Sequence, residues 1–397
     1  MQPVPGSRLP GLDRAILERD VRFRVPVSLW VLLGVFLFFL GLSFVLCLSP
    51  VDGTLSQAVR PSAGGTLNQA GPTAVSPGGA GLSRRGETIV AIPGGASLKD
   101  IALLLESRGI IKSAPAFIAY ARLTRQDKRL EAGHYRLSAN MSVPGIVRML
   151  REGRVATMRF TIPEGFTARE IAGLLSSKGL ADQGRFREMV TTLSPGDLLD
   201  PGSPSEARLL QLARVHGIDS PGLEGYLFPD TYEVEVGASE RDIIRLMVKE
   251  FIRRVVPEYE ASPMSTKVPL REVVILASLV EKEAKAEAER PVIAAIFYNR
   301  LRRGMALESC ASVQYLLPRP KARLTLRDLK ISSPYNTYLH TGLPPGPVAN
   351  PGLASIRAAL YPADVDYLFF VSNNDGTHTF SRTYASHIKA ARRAKTK

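Results

Sequence analysis

The sequence predicts an α+β protein with one N-terminal transmembrane helix, a small βα lobe, and a larger α+β domain. Three observations lead there. A long uncharged apolar run lies near the N-terminus, a strand–helix pattern occurs twice, and the second half contains helical stretches with apolar side chains on nearly every face.

The apolar run, Val27–Leu48, lies inside a stretch without charge from Val25 to Val51. About 20 such residues span the hydrocarbon core of a bilayer as helix. Arg8, Arg14, Arg19, Arg22 and Arg24 precede it, and the next basic residue after it is Arg60. The positive-inside rule therefore puts residues 1–24 in the cytoplasm, the span at 25–48, and everything later outside. A cleaved signal peptide would have a shorter core ending at small residues, and no A-x-A site follows this run. The expected location is the cytoplasmic (inner) membrane, single-pass, with the larger part extracytoplasmic or periplasmic. Residues 49–86, rich in Gly, Ser, Ala and Pro and lacking any period, read as a flexible tether.

The tether ends where ETIVAIP, from Glu87, reads as a strand. This strand opens the first of two copies of one pattern. IPGGASLKDIALLLESRGII (Ile92–Ile111) aligns without gaps on IPEGFTAREIAGLLSSKGLA (Ile162–Ala181) at an offset of 70. Each copy predicts strand, turn, and an N-capped amphipathic helix, with Ser97 or Thr167 as the cap and Gly109 or Gly179 as the stop. Two copies suggest two similar lobes, because a stacked array needs more repeats. In the first copy, Ala132–Gly153 supplies another strand and helix. The expected division is a lobe at 87–155 and a second domain at 156–397.

Within that domain, 205–256 reads as helical at both ends around EGYLFPDTYEVEVG (Glu224–Gly237). The strongest helix begins near Leu270, LREVVILASLVEKEAKA. Pro291, at a first-turn position that proline tolerates, opens a second helix that Gly304 closes. A loop-rich stretch, a buried strand in AALYPADVDYLFFVSNN and a basic helical tail complete the chain.

The formal net charge of +14 suggests an anionic neighbour such as lipid or carboxylate-bearing cell wall, or simply a solubilising surface. No zinc finger or RNP-type motif singles out nucleic acid, and no nucleic-acid partner is expected. Cys47 and Cys310 are too far apart in context to pair, and no Cys/His metal spacing occurs. No metal and no cofactor are expected, since P-loop, dinucleotide and nucleophile-elbow motifs are also missing.

Glu281 and Glu283 are the first candidates for chemistry. They end a helix that is apolar from Val273 to Val280 apart from Ser278, hence buried. A carboxyl at the end of such a helix can lie at a cleft floor, where desolvation favours its protonated, acidic form. Residues two apart on a helix point in nearly opposite directions, so the two cannot share a site. Periodicity does not choose between them, and a solvated, salt-bridged helix end would read the same way. Further candidates are the aromatic, proline-stiffened loop Ser332–Gly352, the segment Glu224–Tyr232, and Gly376–His387 with His378 and His387. Cys310 is the only thiol available to a cysteine protease, and no nucleophile or metal set for another peptidase is present.

Together, EGYLFPDTYEV, ASLVEKEAKAEAERPVIAAIFYNRLRRGMALES, SPYNTYLHTGLPPGPVANPG and YLFFVSNNDGTHTFSRTYASH resemble the endolytic murein transglycosylases, the MltG or YceG-like family, over roughly residues 87–390. The resemblance implies a small LysM-like lobe before a larger α+β catalytic domain. It implies that the first Glu of the V-E-K-E motif, Glu281, is catalytic. It further implies cleavage of the MurNAc–GlcNAc β-1,4 bond in nascent strands to leave 1,6-anhydroMurNAc ends, which would terminate elongation. Expected substrate-binding residues are Glu224, Tyr226, Asp230, Tyr232, Asn299, Gln314, Tyr335, Asn336, Tyr338 and His378. Expected partners are peptidoglycan glycan strands and penicillin-binding proteins or other wall synthases. One departure is Glu308–Val313, where many relatives read S-D-P-T-V. A lytic transglycosylase needs only one carboxylate, because the attacking hydroxyl belongs to the substrate. That suits a sequence with no obvious second carboxylate. The rival reading is a non-catalytic peptidoglycan-binding scaffold for wall synthases.

Overall fold

The computed structural model describes residues 86–396, with Gly41 and Ser43 of the N-terminal segment. The expected membrane span at 25–48 and the tether otherwise lie outside the described residues. Among the described residues, no helix is long and apolar enough to cross a membrane. They fall into two compact units, 86–154 and 155–396.

In the first unit, β1 (Glu87–Ile92) pairs antiparallel with β2 (Gly133–Ser138), from Glu87 opposite Ser138 to Ile92 opposite Gly133. Alternation puts Val90 and Ile92 of one strand and Tyr135 and Leu137 of the other into the core. Between the strands run α1 (Leu98–Ser107) and α2 (Ala114–Leu123), and α3 (Val143–Arg151) follows. Ser97 caps α1 as expected: its hydroxyl accepts from the Asp100 amide, and the Asp100 carboxylate accepts from the Ser97 amide.

The second unit begins with the same pattern. β3 (Thr157–Thr161) leads to α4 (Ala168–Ser177), whose cap is the equivalent reciprocal pair, Thr167 and Glu170. Gly95 and Gly165 hold φ of +76° and +75°, so the two turns have the same backbone shape. The likeness extends further than the sequence alignment. After α4 come α5 (Gln183–Thr192), the one-turn α6 (Pro195–Leu198) and α7 (Pro204–Val215). Then β4 (Thr231–Glu235) returns antiparallel to β3, and α8 (Glu240–Glu260) follows with Ser239 as its cap, as Ser142 caps α3. Both units therefore contain strand, helix, helix, antiparallel strand, capped helix; the second carries α6 and α7 as an insertion.

The remaining chain builds the core around α9 (Leu270–Glu283), buried at Leu270 and at every position from Val273 to Val280. The Ser278 hydroxyl donates to the Ile275 carbonyl and accepts from the Val348 amide, so its burial leaves no polar atom unpaired. α9 packs on α10 (Arg290–Arg302), α11 (Cys310–Leu316) and α12 (Leu353–Leu360). A hairpin of β5 (Phe369–Ser372) and β6 (His378–Ser381) and the helix α13 (Tyr384–Thr396) complete the unit. The architecture is mixed α+β with three two-stranded sheets among the described residues.

Two expectations need correction. The helix from Leu270 stops at Glu283, since Ala284 is extended. The strand expected to be buried, β5, is half-buried, because it sits in a two-stranded hairpin packed against α13.

Candidate active site

The second strand–helix turn, the end of α9, and the proline-stiffened loop before α12 meet at one place. Gly165, in the turn, lies so close to α9 that a Cβ on it would stand 3.3 Å from Glu281 Cγ. The Gly165 amide donates to the Asn350 carbonyl, and the Asn350 amide donates to the Phe166 carbonyl, at 2.9 Å each. The Lys282 ammonium donates to the Gly165 carbonyl at 3.1 Å.

Glu281 and Glu283 diverge, as their spacing requires. Glu283 accepts from the Ser309 hydroxyl at 2.6 Å, beside the start of α11. The Glu281 carboxylate accepts from the Gly352 amide at 3.0 Å and from Arg290 Nη2 at 3.4 Å. Its side chain is 6% exposed and that of Arg290 13%. Arg290 is itself aimed by the buried Ser355, whose hydroxyl accepts from Nε at 3.0 Å. Glu281 is thus a nearly enclosed carboxylate with two fixed donors.

A second carboxyl converges on the same glycine. A Cβ on Gly352 would fall inside the Glu164 carboxyl group, so only glycine lets Glu164 lie there. Burial and the neighbouring Glu281 raise the Glu164 pKa from its ordinary value, partly offset by Arg290. No second carboxylate is visible from the sequence pattern; the folded chain supplies one.

Next to these groups lies a cavity of about 640 Å³, lined by Lys282, Glu224, Gln314, Tyr315, Tyr335 and Arg169 among others. The Glu224 carboxylate accepts from the Ala168 amide (3.0 Å), from Asn350 Nδ2 (2.9 Å) and from the Tyr315 hydroxyl (3.4 Å). Burial dominates over these bonds and pushes its pKa up to about 7. Asn350 is fully buried and also accepts, through Oδ1, from the Gly225 and Leu227 amides. One amide side chain therefore ties the Glu224 segment, the turn at Gly165 and the loop carrying Gly352 together.

Of the expected substrate-binding residues, the cavity brings together Glu224, Gln314 and Tyr335. Gln314 spends both ends of its amide on the Lys321 backbone, so it shapes the wall. Tyr335 stacks obliquely on Tyr315 with centroids 5.2 Å apart. The others do not line this cavity. Tyr226 is buried edge-on to Phe251. The Tyr232 hydroxyl donates to the Phe228 carbonyl at 2.5 Å. Asp230 pairs with Arg254, and Asn299 clamps the carbonyls of Val365 and Tyr367 and takes a bond from Arg302. Asn336, 0% exposed, holds the carbonyls of Leu329 and Ile331. The Tyr338 hydroxyl meets the Cys310 thiol at 3.2 Å, and His378 Nδ1 meets Glu289 at 2.7 Å. Residues that sequence reasoning missed are Glu164, Arg290, Asn350, Gly352 and Tyr315. The gapless repeat held a signal for the first of these: Glu164 stands where the other copy has Gly94.

A mixed α+β unit with an enclosed glutamate beside a cavity that carries a few polar side chains on a largely apolar wall has the form of a ligand-binding or active site. The sequence of residues 90–393 matches the YceG-like family, and the chain belongs to it. It is 33% identical to an endolytic murein transglycosylase of Bacillus subtilis (strain 168), covering 76% of this chain and 83% of that one. It is 31% identical to an endolytic murein transglycosylase of Streptococcus pneumoniae serotype 2 (strain D39), covering 76% of this chain and 58% of that one. A crystal structure of a YceG-like protein from Listeria monocytogenes is similar at a TM-score of 0.50, with 32% identity, 77% of this chain covered and 98% of that one.

Proposed function

We propose that this chain is a membrane-anchored endolytic lytic transglycosylase of peptidoglycan, with Glu281 acting first as acid and then as base. The observation that carries the reading is the setting of Glu281: a nearly enclosed carboxyl at the end of a buried helix, gripped by the Gly352 amide and Arg290.

The two donors suit the second half of the reaction. Protonated Glu281 gives its proton to the glycosidic oxygen as the MurNAc C1–oxygen bond breaks. The carboxylate so formed is stabilised by Arg290 and the Gly352 amide, preorganised and poorly solvated. The substrate's own C6 hydroxyl oxygen then bonds to C1 and returns its proton to Glu281, closing a 1,6-anhydro ring. No water is consumed, and intramolecular attack gains the proximity advantage of a unimolecular step. The oblique Tyr315–Tyr335 pair offers ring faces on which a sugar can stack.

In this function the unit 86–154, with its two helices between antiparallel strands, serves as a LysM-like glycan-holding lobe. The chain sits in the cytoplasmic membrane with its N-terminus inside. A 38-residue tether (49–86) reaches roughly 30–40 Å, so cutting would occur where new strands emerge and would terminate them, beside wall synthases such as penicillin-binding proteins.

The test is product chemistry. The full-length chain in detergent is incubated with uncrosslinked glycan strands, and the ends are read by mass spectrometry. Internal cuts with 1,6-anhydroMurNAc ends are expected. Reducing MurNAc ends would make water the acceptor and refute transglycosylation; binding without cutting would mean a scaffold.

A further inference from the structure

We propose that Glu164 is the positioning carboxylate of this site: seated with Glu281 on Gly352, it keeps a proton on the pair, so that Glu281 meets substrate as an acid.

Three observations carry this. First, the turn does not need a glutamate. Gly94 holds the equivalent place in the first copy, where the backbone has the same shape and a side chain would meet open space. A carboxylate on the second turn alone is therefore there for what surrounds the second turn. Second, the geometry is built around it. Gly352 gives its amide to Glu281 and its bare Cα to Glu164, so one residue seats both carboxyls. Third, Glu281 has a problem that Glu164 answers. Arg290 and the Gly352 amide both donate to the Glu281 carboxylate, an arrangement that serves the second half of the reaction and offers nothing to the first. A second negative group alongside disfavours two charges at once and holds one proton on the pair. Consistent with that coupling, burial first and Glu281 second raise the Glu164 pKa.

The charged groups facing the pair are Glu281 and Lys282 from the end of α9, Glu287 from the 3-10 turn at Glu287–Glu289, and Arg290 from α10. Glu287 adds to the effect and Arg290 opposes it. Glu164 also lies on the exposed side of the turn, so changing it removes no core packing.

The consequence for catalysis rests on the proposed function; the shared proton does not. The full-length chain, labelled with carbon-13 at the glutamate Cδ, is therefore titrated by NMR in detergent, with Glu281→Gln identifying the Glu281 signal. In Glu164→Gln, the Glu281 signal is expected to change at lower pH than in wild type. An unchanged Glu281 titration overturns the inference, whether or not the protein cuts glycan. Cleavage is then followed against pH. Activity that needs the protonated acid falls as pH rises through its pKa, so in Glu164→Gln that limb moves to lower pH. At neutral pH the rate drops about tenfold, and it recovers in acid. Glu164→Asp, which keeps the charge, restores most of the wild-type profile. An equal loss at every pH would mean a merely structural role and would overturn the inference. A wild type that never cuts would sink the proposed function and leave the NMR result to decide the pair.

Discussion

The chain makes one strand–turn–helix twice and gives the two turns different work. In the first copy, Pro93, Gly94, Gly95 and Ala96 lead from β1 to a capped helix, with open space around both glycines. In the second, Pro163, Glu164, Gly165 and Phe166 make the same bend, but Gly165 presses on Glu281 and Glu164 packs on Gly352. The left-handed glycine and the Ser/Thr cap hold the bend in both. The residue before the glycine is free of that duty. Function can be written there without disturbing the fold.

The largest expected effect breaks the second turn's special contact. Gly352→Ala puts a methyl group where the Glu164 carboxyl lies and drives that side chain out of the site. Cleavage at neutral pH should fall at least about tenfold, as in Glu164→Gln. Gly94→Ala in the first copy should leave both cleavage and Tm unchanged. Equal losses from the two would end the distinction between the turns.

Glu224 sharpens the contrast through pH. Its folded pKa of about 7 lies above the ordinary carboxylate value, so the folded state binds that proton more tightly. Its stabilising contribution is complete at pH below the ordinary carboxylate pKa and is lost as pH rises through about 7. Glu224→Gln should flatten the fall in stability across this window, worth about 2 kcal/mol, as read by denaturant unfolding at several pH values. A slope unchanged from wild type would mean the buried carboxyl carries no such proton.

The smallest effect tests what the copies share. Ser97→Ala and Thr167→Ala each remove half of a reciprocal cap and should each cost about 1 kcal/mol. A cost confined to one copy would show that the turns are not equivalent as structure.

Much of the fold was legible because it rests on local rules. The caps at Ser97 and Thr167, the stops at Gly109 and Gly179, and the buried run before Glu281 all follow from residue type and period. The equivalence of β2–α3 with β4–α8 was hidden, because α6 and α7 break the alignment. In the site, periodicity left Glu281 and Glu283 undecided; what separates them are partners distant in sequence, Arg290 and Gly352 for one and Ser309 for the other. Polarity also singled out Tyr232, Asn299 and Asn336, whose polar groups pair with backbone carbonyls in the fold. Buried polar groups must be paired, and a loop rich in them looks the same whether they meet a ligand or their own backbone. Asn350 and Asn336 are both buried amide clamps, and only the folded chain shows that Asn350 binds the site together.

Everything proposed for the site depends on Glu281 as the single acid and base. The most direct measurement is the rate at which full-length wild type and Glu281→Gln release 1,6-anhydroMurNAc ends from the same strands, with circular dichroism and Tm recorded for both. A fall of about 10²–10⁴-fold in a variant with unchanged fold is the expected result. A rate within about tenfold of wild type would contradict it and move the chemistry to another group.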